Sequence, residues 1–293
     1  MKNKLISHRA FSLIELSIVI LIIGILVAGV TQSSRLISQM RLSSARSLTQ
    51  SSPIASIRDL ALWLESTSSA SFDESATDEN SPIPTWYDLN PQTISKINAA
   101  QSTANKQPLY ISSAINNLPA VKFDGSNDDM TLGSLSAGSN ISIFYVIKPT
   151  SAHVEGLLDS APGLPYPFRN YCESTCPSDG QFSWWNGGTA PAVNLGLAAG
   201  APAIIYIQTV FDTSVSPAKT LRYYKNGTLI STVTDTNNVD ISWTSPRLGS
   251  INATLVFYDG LIGEIIIFSR TLKAEERTSV TNYLGKKWGI AVP

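Results

Sequence analysis

Between Phe11 and Val30 the chain carries twenty residues of which one, Glu15, is charged. Twenty helical residues rise about 30 Å, the thickness of the hydrocarbon core of a bilayer. A run of that length and purity reads as a membrane span, and it limits what the rest of the chain can be. A carboxylate at the centre of a bilayer costs about 2.5–3.5 kcal/mol, which a chain carries only where the charge has a use.

The position of the basic residues says how the span is processed. A secretory signal peptide is cut after its apolar core, at small residues. Here Thr31–Arg35, after the core, lacks a convincing small-x-small site, and the basic-to-apolar junction Arg9-Ala10-Phe11 comes before the core. That order predicts a retained helix with a removable leader, Met1–Ala10. A cut between Ala10 and Phe11 frees an α-amine, ordinarily with a pKa of about 7.7–8.0 and so largely cationic at neutral pH. Phe11 and Glu15 stand four apart, so ammonium and carboxylate share one helical face. They can pair within one chain or between neighbours.

Leader, Ala10, Phe11, Glu15 and apolar helix together resemble the amino terminus of type IV prepilins and pseudopilins. The resemblance implies cleavage by prepilin peptidase between Ala10 and Phe11 and N-methylation of Phe11. It also implies that the new ammonium pairs with Glu15 of a neighbouring subunit in the filament. An unpartnered buried charge is strongly unfavourable, so this pairing would set the axial register. Ala10 stands where the family usually has Gly, which predicts slower processing. No Pro interrupts the helix before Pro53, which favours a minor pilin or pseudopilin over a major one. Lys2, Lys4 and Arg9 on one flank balance Arg35, Arg41 and Arg46 on the other, so the positive-inside rule does not orient the span. The resemblance does: leader in the cytoplasm, helix in inner-membrane lipid, head in the periplasm, then pilus, pseudopilus or cell surface after assembly.

The chain is 43% hydrophobic and only 15% charged, against about 25% charged in average soluble proteins. Loss of Lys2, Lys4 and Arg9 takes the formal net charge from −1 to −4, and no nucleic-acid surface is indicated. Residues 31–53 read as an amphipathic stem helix and linker, with Leu36, Ile37, Met40, Leu42 and Leu48 among Ser, Gln and Arg. Residues 54–293 then form the head. Its short Val/Ile/Tyr/Phe/Trp runs between Ser/Thr/Asn/Gly turns read as all-β. Strands are predicted at 109–112, 120–123, 141–147, 181–185, 192–197, 204–211, 221–225, 229–233, 254–258 and 262–268. Asn226-Gly227 is the strongest hairpin signal. Residues 57–65 lead into the head, and 66–80 read as a polar, mobile loop. One helix closes the chain, with Glu275 and Glu276 in its first turn, Val280, Tyr283, Leu284 and Trp288 on one face, Lys286 and Lys287 in its last turn and Gly289 as the stop.

Leu60-Ala-Leu-Trp-Leu64, Trp86-Tyr-Asp-Leu89, the run from Pro119 to Asp128, Tyr224-Lys-Asn-Gly227 and the run from Gly263 to Leu272, in that order, resemble the laminin-G-like branch of the concanavalin A-like jelly rolls. The fold implied is two antiparallel sheets packed face to face, which agrees with the periodicity. The fold class is therefore a long amino-terminal helix joined to an all-β two-sheet sandwich with a short carboxy-terminal helix.

That fold does not fix a function. Asp124-Gly-Ser-Asn-Asp-Asp129 offers oxygens to calcium, although its spacing falls short of a loop-type signature and Asp-Gly is ordinary turn chemistry. Residues 162–186 hold Tyr166, Tyr171, Trp184 and Trp185, whose faces suit stacking on a glycan or a protein partner. Cys172 and Cys176 lie in the same stretch. A disulfide between them closes a very small ring, and a periplasmic location favours it. Free thiols or a metal pair are the alternatives, with no His or further Cys nearby to complete a zinc site. For catalysis, a retaining glycosidase needs two carboxylates about 5–5.5 Å apart. The sequence has no Glu-x-Asp-x-x-Glu strand. Glu264, alone on its strand, reads as a partner for a turn. His153 is the only His outside the leader, and a lone His is usually structural. The sequence points to no enzyme and no cofactor.

Overall fold

The computed structural model describes residues 12–135, 137–138, 140–152, 154–160, 181–182, 193–212, 214, 219–235, 243–251 and 255–293, the side chains of 28–35, 181–182, 235 and 255 excepted. The chain divides into two units, one ending at Ser44 and the other running from Ala45 to Pro293.

Helix α1, Leu13–Gln50, is 38 residues long. Its large apolar side chains from Leu13 to Val27 are exposed, as are Leu36, Ile37 and Met40 further along. Among the described residues no helix is long and apolar enough to cross a membrane; the side chains at the end of the apolar run lie outside that set. In the last turns of α1, Ala45 and Thr49 are buried in the second unit.

The second unit is a sandwich of antiparallel sheets. The larger has eight strands: β1 (Leu60–Glu65), β2 (Leu109–Ile115), β3 (Leu118–Asp124), β4 (Ser142–Pro149), β5 (Ala203–Phe211), β6 (Lys219–Lys225), β7 (Thr228–Asp235) and β8 (Asp259–Phe268). Their spatial order is β7-β6-β5-β4-β8-β3-β2, with β1 added beside the second half of β8. The smaller sheet has five short strands, in the order Thr85–Trp86, Ala99–Ala100, Met130–Leu132, Arg247–Leu248, Leu158–Asp159.

The larger sheet is buried on both faces, so its central strands read as unbroken apolar runs rather than alternating ones. Ile143, Tyr145 and Ile147 of β4 face Met130, Leu158, Leu248 and Trp86 of the smaller sheet. Phe144 and Val146 of the same strand join a second core with Ile54 and with Val280, Tyr283, Leu284 and Trp288 of α2 (Ala274–Trp288). The β6–β7 hairpin turns on Asn226 and Gly227 at φ 49° and 87°, the left-handed pair that a primed two-residue turn requires. Helix α2 ends as expected at Gly289, with φ 65°.

Three local expectations change. Residues 60–65, read as a lead-in, form a strand paired along β8. The 66–80 segment, read as mobile from its polar composition, is pinned by Phe72, whose ring lies 5.8 Å from Trp86 and 5.7 Å from Tyr110. Ser66 Oγ also donates to the carbonyls of Pro119 and Gly263. One buried aromatic outweighs a dozen polar neighbours there, because fully burying such a ring is worth about 1.5–3 kcal/mol. Lys287, read only as a base in the last turn of α2, is buried.

Candidate functional site

At the amino terminus, the Glu15 carboxylate accepts the Ser12 backbone N–H at 2.8 Å, and Ser12 Oγ accepts the Ile14 N–H at 3.3 Å. Ser12 and Glu15 thus form half of a capping box at the start of α1. The carboxylate sits where the first helical amides carry partial positive charge, which favours an anion. Ala10 and Phe11 lie outside the described residues.

A second constellation lies beneath α2. In β8 a bulge at Gly263 shifts the register, Ile262 facing Ile147 and Glu264 facing Val146. The extra residue turns Glu264 away from the inter-sheet core and towards α2. Gly is required there: a Cβ at 263 would come within 2.7 Å of the Trp288 indole. Across the ladder Glu264 pairs with Glu65 of β1, which puts both carboxylates on one face.

Between them stands the Lys287 ammonium, 2.5 Å from Glu65 Oε1 and 3.0 Å from Glu264 Oε2, with all three side chains 0% exposed. Lys287 also donates to Thr49 Oγ1 at 2.8 Å and to Tyr283 Oη at 3.1 Å. Glu264 accepts the indole N–H groups of Trp63 (2.8 Å) and Trp288 (3.0 Å) and the Tyr283 hydroxyl (3.0 Å). Glu65 accepts the backbone N–H groups of Thr67 and Ser68, each at 2.7 Å, and the Thr67 hydroxyl at 2.5 Å. Burial pushes the Glu264 carboxyl up, and the Lys287 cation opposes the shift.

Glu264 is therefore not a turn partner but the centre of a buried ionic cage. Sequence reasoning missed the cage, although a lone acid inside an apolar strand was the available signal. Two carboxylates on facing strands are also what a retaining glycosidase uses. Here a cation fills the space between them and no sugar reaches either.

The Asp124–Asp129 loop closes on itself. Asp124 Oδ1 accepts the N–H groups of Ser126, Asn127 and Asp128. Burial raises its carboxyl, and these bonds outweigh that and hold it below the usual value. Burial and the neighbouring Asp124 charge push Asp128 up to about 7. Asp129 is engaged by Arg247 and by Gln101. Among the described residues no group of three or more His, Cys, Asp or Glu is placed to hold a metal ion. His153, Tyr166, Tyr171, Cys172, Cys176, Trp184 and Trp185 lie outside the described residues.

Residues 6–31 match the model for the prokaryotic N-terminal methylation motif. The chain carries a prepilin-type amino terminus.

No curated protein sequence matches the chain. Among solved structures it is similar to domain 4 of AbnA, a GH43 extracellular arabinanase from Geobacillus stearothermophilus, in complex with arabinotriose. The identity is 15% and the TM-score 0.53, over 76% of this chain and 98% of that one. It is also similar to the botulinum neurotoxin serotype D binding domain at 12% identity and TM-score 0.50, over 80% of this chain and 53% of that one. At such identities the likeness concerns the fold, a β-sandwich of jelly-roll type after the amino-terminal helix.

Proposed function

We propose that this chain is a pilin-like filament subunit, a minor pilin or pseudopilin. It sits as a single-pass inner-membrane protein with a periplasmic head until prepilin peptidase cuts between Ala10 and Phe11. The freed Phe11 amine is N-methylated, and the subunit joins a type IV pilus or a secretion pseudopilus alongside other pilin-like subunits. The observation that carries this reading is the methylation motif over residues 6–31, with Glu15 at the helix start. In the intact chain the carboxylate is held by the Ser12 amide. Cleavage would put a full cation one residue upstream of that amide. The Ser12 amide offers the carboxylate only a dipole, whereas the ammonium, from the same chain or a neighbour, offers a full opposite charge in a low-dielectric setting, so the ammonium becomes the preferred partner. The exposed apolar flank of α1 from Leu13 to Val27 suits packing against lipid first and other helices later.

Co-expression with prepilin peptidase followed by amino-terminal sequencing tests the processing step: Phe11 should come first, and an intact Met1 or a cut beyond Val30 refutes it. Glu15→Ala should be processed normally and fail to enter filaments.

A second reading, compatible with the first, makes the sandwich a filament-tip lectin or adhesin. It is supported by the likeness to a domain solved with arabinotriose and by the aromatic residues Tyr166, Tyr171, Trp184 and Trp185 in the cysteine loop. A glycan array probed with residues 45–293, with and without calcium, tests it; a blank array leaves the scaffold role alone.

A further inference from the structure

The geometry points to a covalent cross-link: we infer that Lys287 and Glu65 condense into an intramolecular amide, with Glu264 carrying the proton between them. Such a bond would fasten α2 to β1 on the α2-covered face of the larger sheet, beside Thr49 in the last turn of α1.

Three conditions for that reaction meet in the cage. The first is position. Lys287 Nζ touches Glu65 Oε1 at 2.5 Å, and a nitrogen in such contact lies about 3–3.5 Å from the carboxyl carbon, the separation of a near-attack arrangement. Well-oriented intramolecular reactions proceed as if the reactant were present at an effective concentration on the order of 10⁵–10⁸ M.

The second is stabilisation of charge on the attacked carboxyl. The backbone N–H groups of Thr67 and Ser68 each stand 2.7 Å from a Glu65 oxygen and would receive the negative charge of a tetrahedral intermediate. The third is a proton carrier. Glu264 Oε2 is 3.0 Å from the same nitrogen, and burial keeps the Glu264 carboxyl ready to hold a proton.

The balance closes without any further reagent. The C–N bond forms and a carbon–oxygen bond of Glu65 breaks. The ammonium gives up two protons, one of them by way of Glu264, and both leave with the departing oxygen as one water. A carboxylate and an ammonium become a neutral amide, so net charge does not change. In bulk water the solvation of the separated ions holds such a pair apart. At 0% exposure among Trp63, Tyr283 and Trp288 that solvation is gone, and the desolvation cost of two ions becomes a force towards the neutral product.

The test is peptide mass analysis of the full chain, purified from membranes and fully reduced, so that neither leader removal nor a Cys172–Cys176 bond affects the reading. Trypsin should yield a branched species joining residues 59–96 to residues 287–293, lighter than the two peptides together by one water. The separate peptides, with Lys287 open to cleavage, overturn the inference. Glu264→Gln should yield the unlinked peptides; a linked Glu264→Gln chain removes the proton-carrying role. Lys287→Arg, which keeps a cation but cannot condense in this way, fixes the unlinked reference.

Discussion

Replacement of Lys287 by Met is the sharpest perturbation of the cage. Met has nearly the length and volume of the lysine stem, so the packing against Tyr283 and Trp288 is kept while the charge is lost. Lys287 contacts Glu65, Glu264, Thr49 and Tyr283, all at zero or near-zero exposure. Its removal leaves Glu65 and Glu264 facing each other across one rung of the ladder with only neutral donors around them. In the ionic form of the cage, before Lys287 and Glu65 condense, breaking the buried pair by removing one partner costs about 3–5 kcal/mol, and a covalent link in the parent only widens the gap. In a domain of this size 1 kcal/mol moves the melting temperature by about 2–4 °C, so Lys287→Met should melt about 6–20 °C lower.

The deficit should depend on pH. Burial raises the folded-state pKa of Glu264 above its ordinary 4.5, and without Lys287 the opposing attraction disappears. A carboxyl whose pKa is raised on folding contributes stability below its unfolded pKa and loses it as pH climbs through the folded value. The variant should therefore lie closest to the parent in acid, where Glu264 is protonated, and fall further behind as pH rises above the ordinary carboxyl range. Adding Glu264→Gln to Lys287→Met removes one of the two opposed charges and should recover part of the loss. Differential scanning calorimetry of the detergent-solubilised chain reads all of this. A melting temperature within about 2 °C of the parent, where at least about 6 °C is predicted, refutes the idea that the cage carries stability. A deficit flat in pH refutes the assignment to buried carboxylates.

Four further outcomes follow from other parts of the molecule. Asp128→Asn should stabilise the protein at alkaline pH and do nothing in acid, because the Asp128 carboxyl, pushed up to about 7, withdraws stability as pH rises through that value; thermal melts at several pH values check it. Gly249→Ala should destabilise by about 2 kcal/mol or more, since the residue has φ +87° and a Cβ would meet the Phe123 ring at 2.4 Å; chemical denaturation reads the loss. A soluble fragment beginning at Ser52 should be less stable than one beginning at Ala45 by about 1–3 kcal/mol, because it strips the Thr49 acceptor from Lys287. Glu15→Ala should leave prepilin cleavage intact and abolish filament incorporation, read by immunoblotting of sheared filaments; normal incorporation removes the docking role.

What the sequence determined by itself is what short-range chemistry writes down. The apolar run with Glu15 four residues after Phe11, the Asn226-Gly227 turn, the acid-first helix stopped at Gly289 and the apolar strands are local patterns, and each reappears in the folded chain where it is described. The prepilin-type start is local in the same sense. The ionic cage is not. Thr49 and Lys287 stand 238 positions apart, and Glu65 and Lys287 222 apart. They meet only because β1 inserts beside β8, a bulge at Gly263 turns Glu264 outward, and α2 lies across that face. In sequence Glu65 is the end of an apolar phrase, Glu264 a stray acid in a strand and Lys287 an ordinary helix-end base. Phe72 is hidden in the same way among serines. Burial decides what each of them does, because removing water makes an ion seek its counter-ion and a ring seek its neighbours, and burial is a property of the packed sheets rather than of any window of residues.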